Sequence, residues 1–199
     1  ADAACYFDAY EPAFAAIGRA AAGRGPVKSP GISVKLSALH PRYEMAQRKR
    51  TLDEMVPRLV ELAKAAKAVD IGFTIDAEEA DRLDLSLDVI EAVSGDPSLK
   101  GWEGLGLAIQ AYQKRCLPLV DWLADLARKH RRRLMVRLVK GAYWDSEIKL
   151  SQERGLSGYP VFTRKASTDV SFVACARRLL SDGSAFYPQF ATHNAHSLA

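Results

Sequence analysis

Arg133-Leu134-Met135-Val136-Arg137-Leu138-Val139-Lys140-Gly141-Ala142-Tyr143-Trp144-Asp145 begins as a short aliphatic, β-branched run, the pattern of a buried strand. Two cations interrupt it, Arg137 inside the run and Lys140 at its end. After Gly141 the pattern turns helical. Packing alone would be served by Val or Leu at both places, because a charge taken out of water needs a partner. A guanidinium in the strand and a Lys-Gly stop point to an anion or a polar cofactor held at the strand's end.

Outward from this stretch, short apolar runs alternate with amphipathic helical patterns. Strands are expected at Ile32 to Ser37, Ile71 to Asp76, Leu105 to Gln110, Leu134 to Leu138 and Pro188 to Thr192. Helices are expected at Asp8 to Ala22, Leu52 to Ala68, Asp81 to Val93, Arg115 to Arg131, Tyr143 to Arg154 and Ser167 to Leu180. Residues 1–30 read as an N-terminal helix and linker, and 31–199 as five β/α units. Such alternation implies an α/β fold with a parallel sheet and helical crossovers.

The strand ends decide which α/β fold. They carry, in order, Lys35, Asp76, Gln110, Arg137 to Lys140, and Thr192-His193-Asn194. Polar residues at every strand's C-terminal end suit a (β/α)8 TIM-type barrel, where all these ends converge on one mouth. A doubly wound sheet concentrates its chemistry at one glycine-rich turn, and neither GxGxxG nor GxxxxGK[ST] occurs. Five strands do not close an eight-stranded barrel, so the barrel expected here is incomplete.

Bulk properties exclude other classes. The 199 residues are 48% hydrophobic and 26% charged, an ordinary globular composition. No apolar run approaches the ~18 residues of a membrane span. Cys5, Cys116 and Cys175 are far apart with no metal spacing, and this sparse, odd count favours a reducing, cytoplasmic setting. A net charge of +4 comes largely from the run Arg128-Lys129-His130-Arg131-Arg132-Arg133. That run reads as a solvated helix end; a nucleic-acid patch there would lack aromatic interleaving.

Singly, the strand-end residues have ordinary explanations. Lys35 can snorkel, Asp76 can N-cap the next helix, Gln110 can satisfy loop backbone, and His193 can begin a helix. Jointly they would line one cavity with two cations, a carboxylate, an amide and a Thr-His-Asn cluster. That set suits an anionic, polar, extended ligand better than a metal, since His193 and His196 alone make a poor ligand set.

Gly31-Ile32-Ser33-Val34-Lys35-Leu36-Ser37-Ala38-Leu39-His40-Pro41-Arg42-Tyr43 resembles the first barrel strand of the proline dehydrogenase domain of bifunctional proline utilization A proteins. The resemblance continues, in the family's order, through Ile75-Asp76-Ala77-Glu78-Glu79, Gln110-Ala111-Tyr112-Gln113-Lys114-Arg115, the 137–145 stretch, Tyr159 to Lys165 and Ala191 to His196. It covers essentially the whole chain. It implies a flavoenzyme that oxidises L-proline to Δ1-pyrroline-5-carboxylate by hydride transfer to N5 of FAD. Electrons would then pass to a membrane quinone, with peripheral membrane contact and an aldehyde dehydrogenase half in the full-length protein.

Carried over residue by residue, the resemblance places Gln110, Arg137, Val139, Lys140, Gly141, Ala142 and Trp144 on the flavin side. Thr163, Arg164 and Lys165 would meet the phosphates and adenosine, and Thr192, His193 and Asn194 the flavin and diphosphate. Lys35 and Asp76 would serve the substrate, with Arg137 the third catalytic residue. The family's last strands carry an arginine pair that clamps the substrate carboxylate, and no residue here matches it. The 199-residue chain is therefore expected to hold FAD weakly and not to turn over. Two other readings compete: a Schiff-base lyase or aldolase using Lys35 or Lys140, and a nucleic-acid module built on Arg128 to Arg133.

Overall fold

The computed structural model describes residues 2–192, so His193 and Asn194 lie outside the described residues. Among the described residues, five strands form one sheet: β1 (Ile32–Val34), β2 (Phe73–Ile75), β3 (Leu105–Gln110), β4 (Leu134–Val139) and β5 (Phe186–Phe190). All neighbours pair in parallel, and spatial order follows chain order.

The helices are α1 (Asp2–Ala21), α2 (Leu36–Leu39), α3 (Arg48–Ala68), α4 (Leu83–Ser94), α5 (Cys116–Lys129), α6 (Trp144–Glu153) and α7 (Lys165–Leu180). Short 3-10 turns occupy Met45–Gln47, Ala80–Arg82 and Pro97–Leu99.

One helical layer covers one face of this sheet. Val34, Phe73, Ile75, Leu105, Leu107, Ile109, Leu134, Val136, Leu138 and Phe186 all join a core with Met55, Leu59, Leu85, Val89, Val120, Leu123 and Phe172 from the helices. Alternate residues point the other way, as the two-residue period of a strand requires. A doubly wound sheet would need helices on both faces; unbroken order with one helical layer is the barrel arrangement.

Element edges differ from expectation for local reasons. β1 stops at Val34 because the chain turns at once into α2, which puts Leu36 and Leu39 into the core. β2 starts only at Phe73, since Ile71 N–H still closes α3 on Ala66 O at 3.1 Å. β5 enters the sheet two residues early, at the buried Phe186, after a turn in which Ala185 N–H bonds Asp182 O. α1 begins at Asp2, and its Phe14 ring lies 6.4 Å from that of Phe73, so this helix packs into the same core.

Four cations of the basic run have local partners. Arg128 pairs with Asp125 and Asp182, and Lys129 with Glu91. Arg132 donates to Leu99 O at 3.2 Å, and Arg133 to Phe186 O at 3.0 Å while lying 5.7 Å over the Tyr187 ring. Cations tied to carboxylates and backbone oxygens disfavour a phosphate-binding stripe here.

Candidate active site

Strand register brings the predicted residues together. Val34, Ile75, Leu107, Val136 and Pro188 are partners across the sheet. One step further toward the C-terminal ends stand Lys35, Asp76, Ala108, Arg137 and Gln189, of which Ala108, Arg137 and Gln189 are direct ladder partners. Their side chains share the face away from the helices. Small Ala108 leaves room between Asp76 and Arg137, and an Arg137 Nη2 hydrogen donates to Asp76 Oδ1. Asp76 therefore does not cap a helix. It balances the guanidinium of the fourth strand, two strands away.

Lys35 is exposed, with Nζ 6.0 Å from the centre of the Tyr143 ring. The Tyr143 hydroxyl raises its pKa by hydrogen bonding, and the charges of Glu78 and Asp76 add to the effect. Such a lysine stays an ammonium ion, the wrong state for an amine nucleophile. Lys140 points to the helical side, where Nζ is 2.6 Å from Asp169 Oδ1 and 5.9 Å from the Phe172 ring centre. Neither lysine is prepared for Schiff-base chemistry.

The next tier is a hydrogen-bonded belt. Gln110 is 3% exposed, and it donates from Nε2 to Glu78 O at 2.8 Å while its Oε1 accepts Ala142 N–H at 3.2 Å. The Glu78 carboxylate accepts Ser37 N–H at 2.9 Å and Arg82 Nη1 at 2.7 Å. Buried Glu147 accepts Ala80 N–H at 2.6 Å. Ends of the first four strands are thus tied together through side chains. The sequence reading missed Glu78 and Glu147, which look like solvated acids on amphipathic segments. The visible signal for Glu78 is the acidic run Asp76 to Glu79 directly after a strand, and no such signal marks Glu147.

Gly141 adopts φ 144°, a region that L side chains avoid. A Cβ there would also sit 2.5 Å from the Tyr112 ring. The backbone of Gly141 and Ala142 therefore lies bare at the rim, both residues exposed. Trp144 stands beside them, 43% exposed, its indole fixed by Nε1 donating to Phe162 O at 3.0 Å. Half-exposed Val139, the ladder partner of Gln110, completes this edge.

A second group lies at the N-terminal end of α7. Thr163, Arg164 and Lys165 are exposed, and Lys165 shares Asp169 with Lys140, each ammonium 2.6 Å away. Those two lysines hold the Asp169 carboxyl below the usual range. Ala191 N–H still bonds Leu138 O at 3.0 Å, so Thr192 leaves the sheet near the end of β4.

Together the surfaces offer a cationic inward tier, a flat rim of bare backbone and indole, and a basic helix start. A planar ring system with an attached phosphate chain fits this donor set, since helix N-termini and cations both favour phosphate. Among the described residues, no three His, Cys, Asp or Glu converge as metal ligands, and no helix is long and apolar enough to cross a membrane.

Comparison with known proteins identifies the family. The chain is 60% identical over its full length to bifunctional protein PutA of Salmonella typhimurium, and 54% identical to that of Rhizobium meliloti. It spans about 15% of the length of the Salmonella relative. A solved variant of Bradyrhizobium japonicum Proline Utilization A superposes with a TM-score of 0.97 at 63% identity, over 99% of this chain and 20% of that one. The Bdellovibrio bacteriovorus protein, solved after inactivation by N-propargylglycine, superposes at 0.91 with 27% identity, over 99% of this chain and 22% of that one. The family model for proline dehydrogenase matches residues 1–199, and the chain belongs to that family.

Proposed function

We propose that this chain carries the cofactor- and substrate-facing half of a proline dehydrogenase site, oxidising L-proline to Δ1-pyrroline-5-carboxylate with FAD. The observation that carries this reading is the Lys35, Asp76 and Arg137 tier, one step past the in-register layer of Val34, Ile75, Leu107 and Val136, with the Gly141–Ala142 backbone exposed beyond the end of β4. Bound flavin supplies the acceptor for the hydride that leaves the ring carbon next to nitrogen, as that nitrogen's lone pair closes the C=N bond.

The chain's residues supply the surroundings. Lys35, held as a cation, offsets the substrate carboxylate. Arg137 offers guanidinium donors to the flavin edge where negative charge builds, while Asp76 fixes its orientation. Gly141 and Ala142 let backbone come against the ring. Val139 and Trp144 border it, and Gln110 holds the rim in place. In this reading Thr163, Arg164 and Lys165 would meet the phosphates and adenosine, Lys140 would support the flavin side through its strand end, and Thr192 would approach the flavin and diphosphate. A quinone acceptor, peripheral membrane contact and an aldehyde dehydrogenase half complete the reading for the full-length protein.

Proline reacts only after its nitrogen loses a proton, so the rate of flavin reduction should rise with pH and then level off. The full-length protein should show flavin absorbance that bleaches anaerobically with proline. Arg137→Met should slow that bleaching or weaken flavin binding, and N-propargylglycine should inactivate the protein. A colourless protein, or a flavin band indifferent to proline, would refute the assignment.

A further inference from the structure

We propose that Glu147 is a positioning residue whose buried carboxylate braces the first turn of α6 against the β2 loop, holding Tyr143 by Lys35 and the Ala142 amide on Gln110. This deepens the reading of the site as a flavin and proline site and rests on it.

Glu147 is 4% exposed, and its carboxylate accepts Ala80 N–H at 2.6 Å. Burying a carboxylate is costly, and one amide repays only part of that cost. Glu79 and Asp81 stand close enough to raise its pKa further, beyond the effect of burial, with Arg154 opposing them. A carboxylate kept in so unfavourable a place needs a reason beyond filling space.

The geometry supplies one. Glu147 N–H bonds Tyr143 O at 2.9 Å, so one helical turn separates the brace from the residue facing Lys35. On the other side, Ala80 is gripped at both ends of its backbone: Glu147 takes its N–H, and Arg115 Nη2 donates to its carbonyl at 3.0 Å. Two residues before Ala80 is Glu78, which holds Ser37 with its side chain and Gln110 with its carbonyl. Movement of α6 would therefore reach the Lys35 end of β1 and the Gly141–Ala142 rim together.

The test compares Glu147→Ala, Glu147→Gln and a remote core variant, Leu123→Ala, in the full-length protein. Amide exchange in cofactor-free protein should quicken at residues 78–82 and 141–147 in Glu147→Ala and stay confined to α5 and its neighbours in Leu123→Ala. In flavin-loaded protein, Glu147→Ala should raise the KM for proline about tenfold, with a smaller change in kcat, because misplaced binding groups act mainly on substrate positioning. Its visible circular dichroism should change, and Glu147→Gln should restore most of each signal. Unchanged exchange at Ala80, or a KM shift no larger than that of Leu123→Ala at a matched fall in Tm, would overturn the proposal. A wild-type protein without flavin would instead refute the functional reading, and the exchange comparison would still decide whether the brace exists.

Discussion

Among the described residues, Gly141 is the one glycine where conformation and space both forbid a side chain. Its φ of 144° strains any L residue, and a Cβ would enter the Tyr112 ring. Gly141→Ala should therefore destabilise the fold by about 2 kcal/mol, combining backbone strain with overpacking, and should weaken flavin binding. Urea titration and flavin fluorescence measure the two effects, and an unchanged midpoint would show that the loop relaxes freely. The Arg137–Asp76 pair makes a different demand. Arg137 and Asp76 side chains are 31% and 23% exposed, so solvent screens the pair and its net contribution to stability is ~1 kcal/mol or less. Asp76→Asn should leave stability nearly unchanged while releasing the guanidinium from its fixed direction. The expected signature is slower flavin reduction by proline in stopped flow, with Tm within a degree or two of wild type.

At the level of elements, the joint between α6 and the β2 loop responds to pH with a definite sign. Burial raises the pKa of Glu147, so the folded state holds this proton more tightly than the unfolded chain does. Ionising it in the fold costs stability, and the cost is present above the folded pKa and vanishes as pH falls below the unfolded value of ~4.3. Glu147→Gln keeps an acceptor for Ala80 N–H and removes the ionisation. Its stability relative to wild type should therefore be most favourable near pH 8 and decline toward pH 4, measured by urea unfolding at several pH values. A difference independent of pH would mean that Glu147 does not carry the raised pKa. Element types were legible because burial writes them plainly: β3 is five apolar residues closed by Gln110, found where expected, and all six residues are buried. Edges were less legible where local turns override the pattern, as at Lys35, where α2 replaces the second half of an expected strand.

The whole molecule shows why the site itself was only half readable. Lys35, Asp76 and Arg137 carry chemistry that a packed strand would not choose, so their placement at strand ends was visible one residue at a time. Their partners were not, because Asp76 reaches Arg137 across 61 residues and Glu147 reaches Ala80 across 67. Only the sheet register makes those separations short. The same register governs the two open edges among the described residues. Ile32 N–H and Val34 O face β2, which leaves Ser33 on the outer side of β1, where Tyr10 Oη donates to its carbonyl at 3.5 Å. On β5, Leu134 N–H meets Ala185 O and Ala191 N–H meets Leu138 O, so by alternation Phe186, Pro188 and Phe190 face outward. Phe186 is satisfied by Arg133 on its carbonyl and by Asp182 O on its N–H, and Pro188 has no N–H to offer. An edge with a missing donor is a poor template for another strand. In the 199-residue chain, Pro188→Val restores that donor next to Phe190, and it should increase self-association across a roughly hundredfold concentration range. Sedimentation velocity reads the effect directly. Equal mass distributions for Pro188→Val and the parent chain would show that the outer edge of β5 is shielded by something other than its proline.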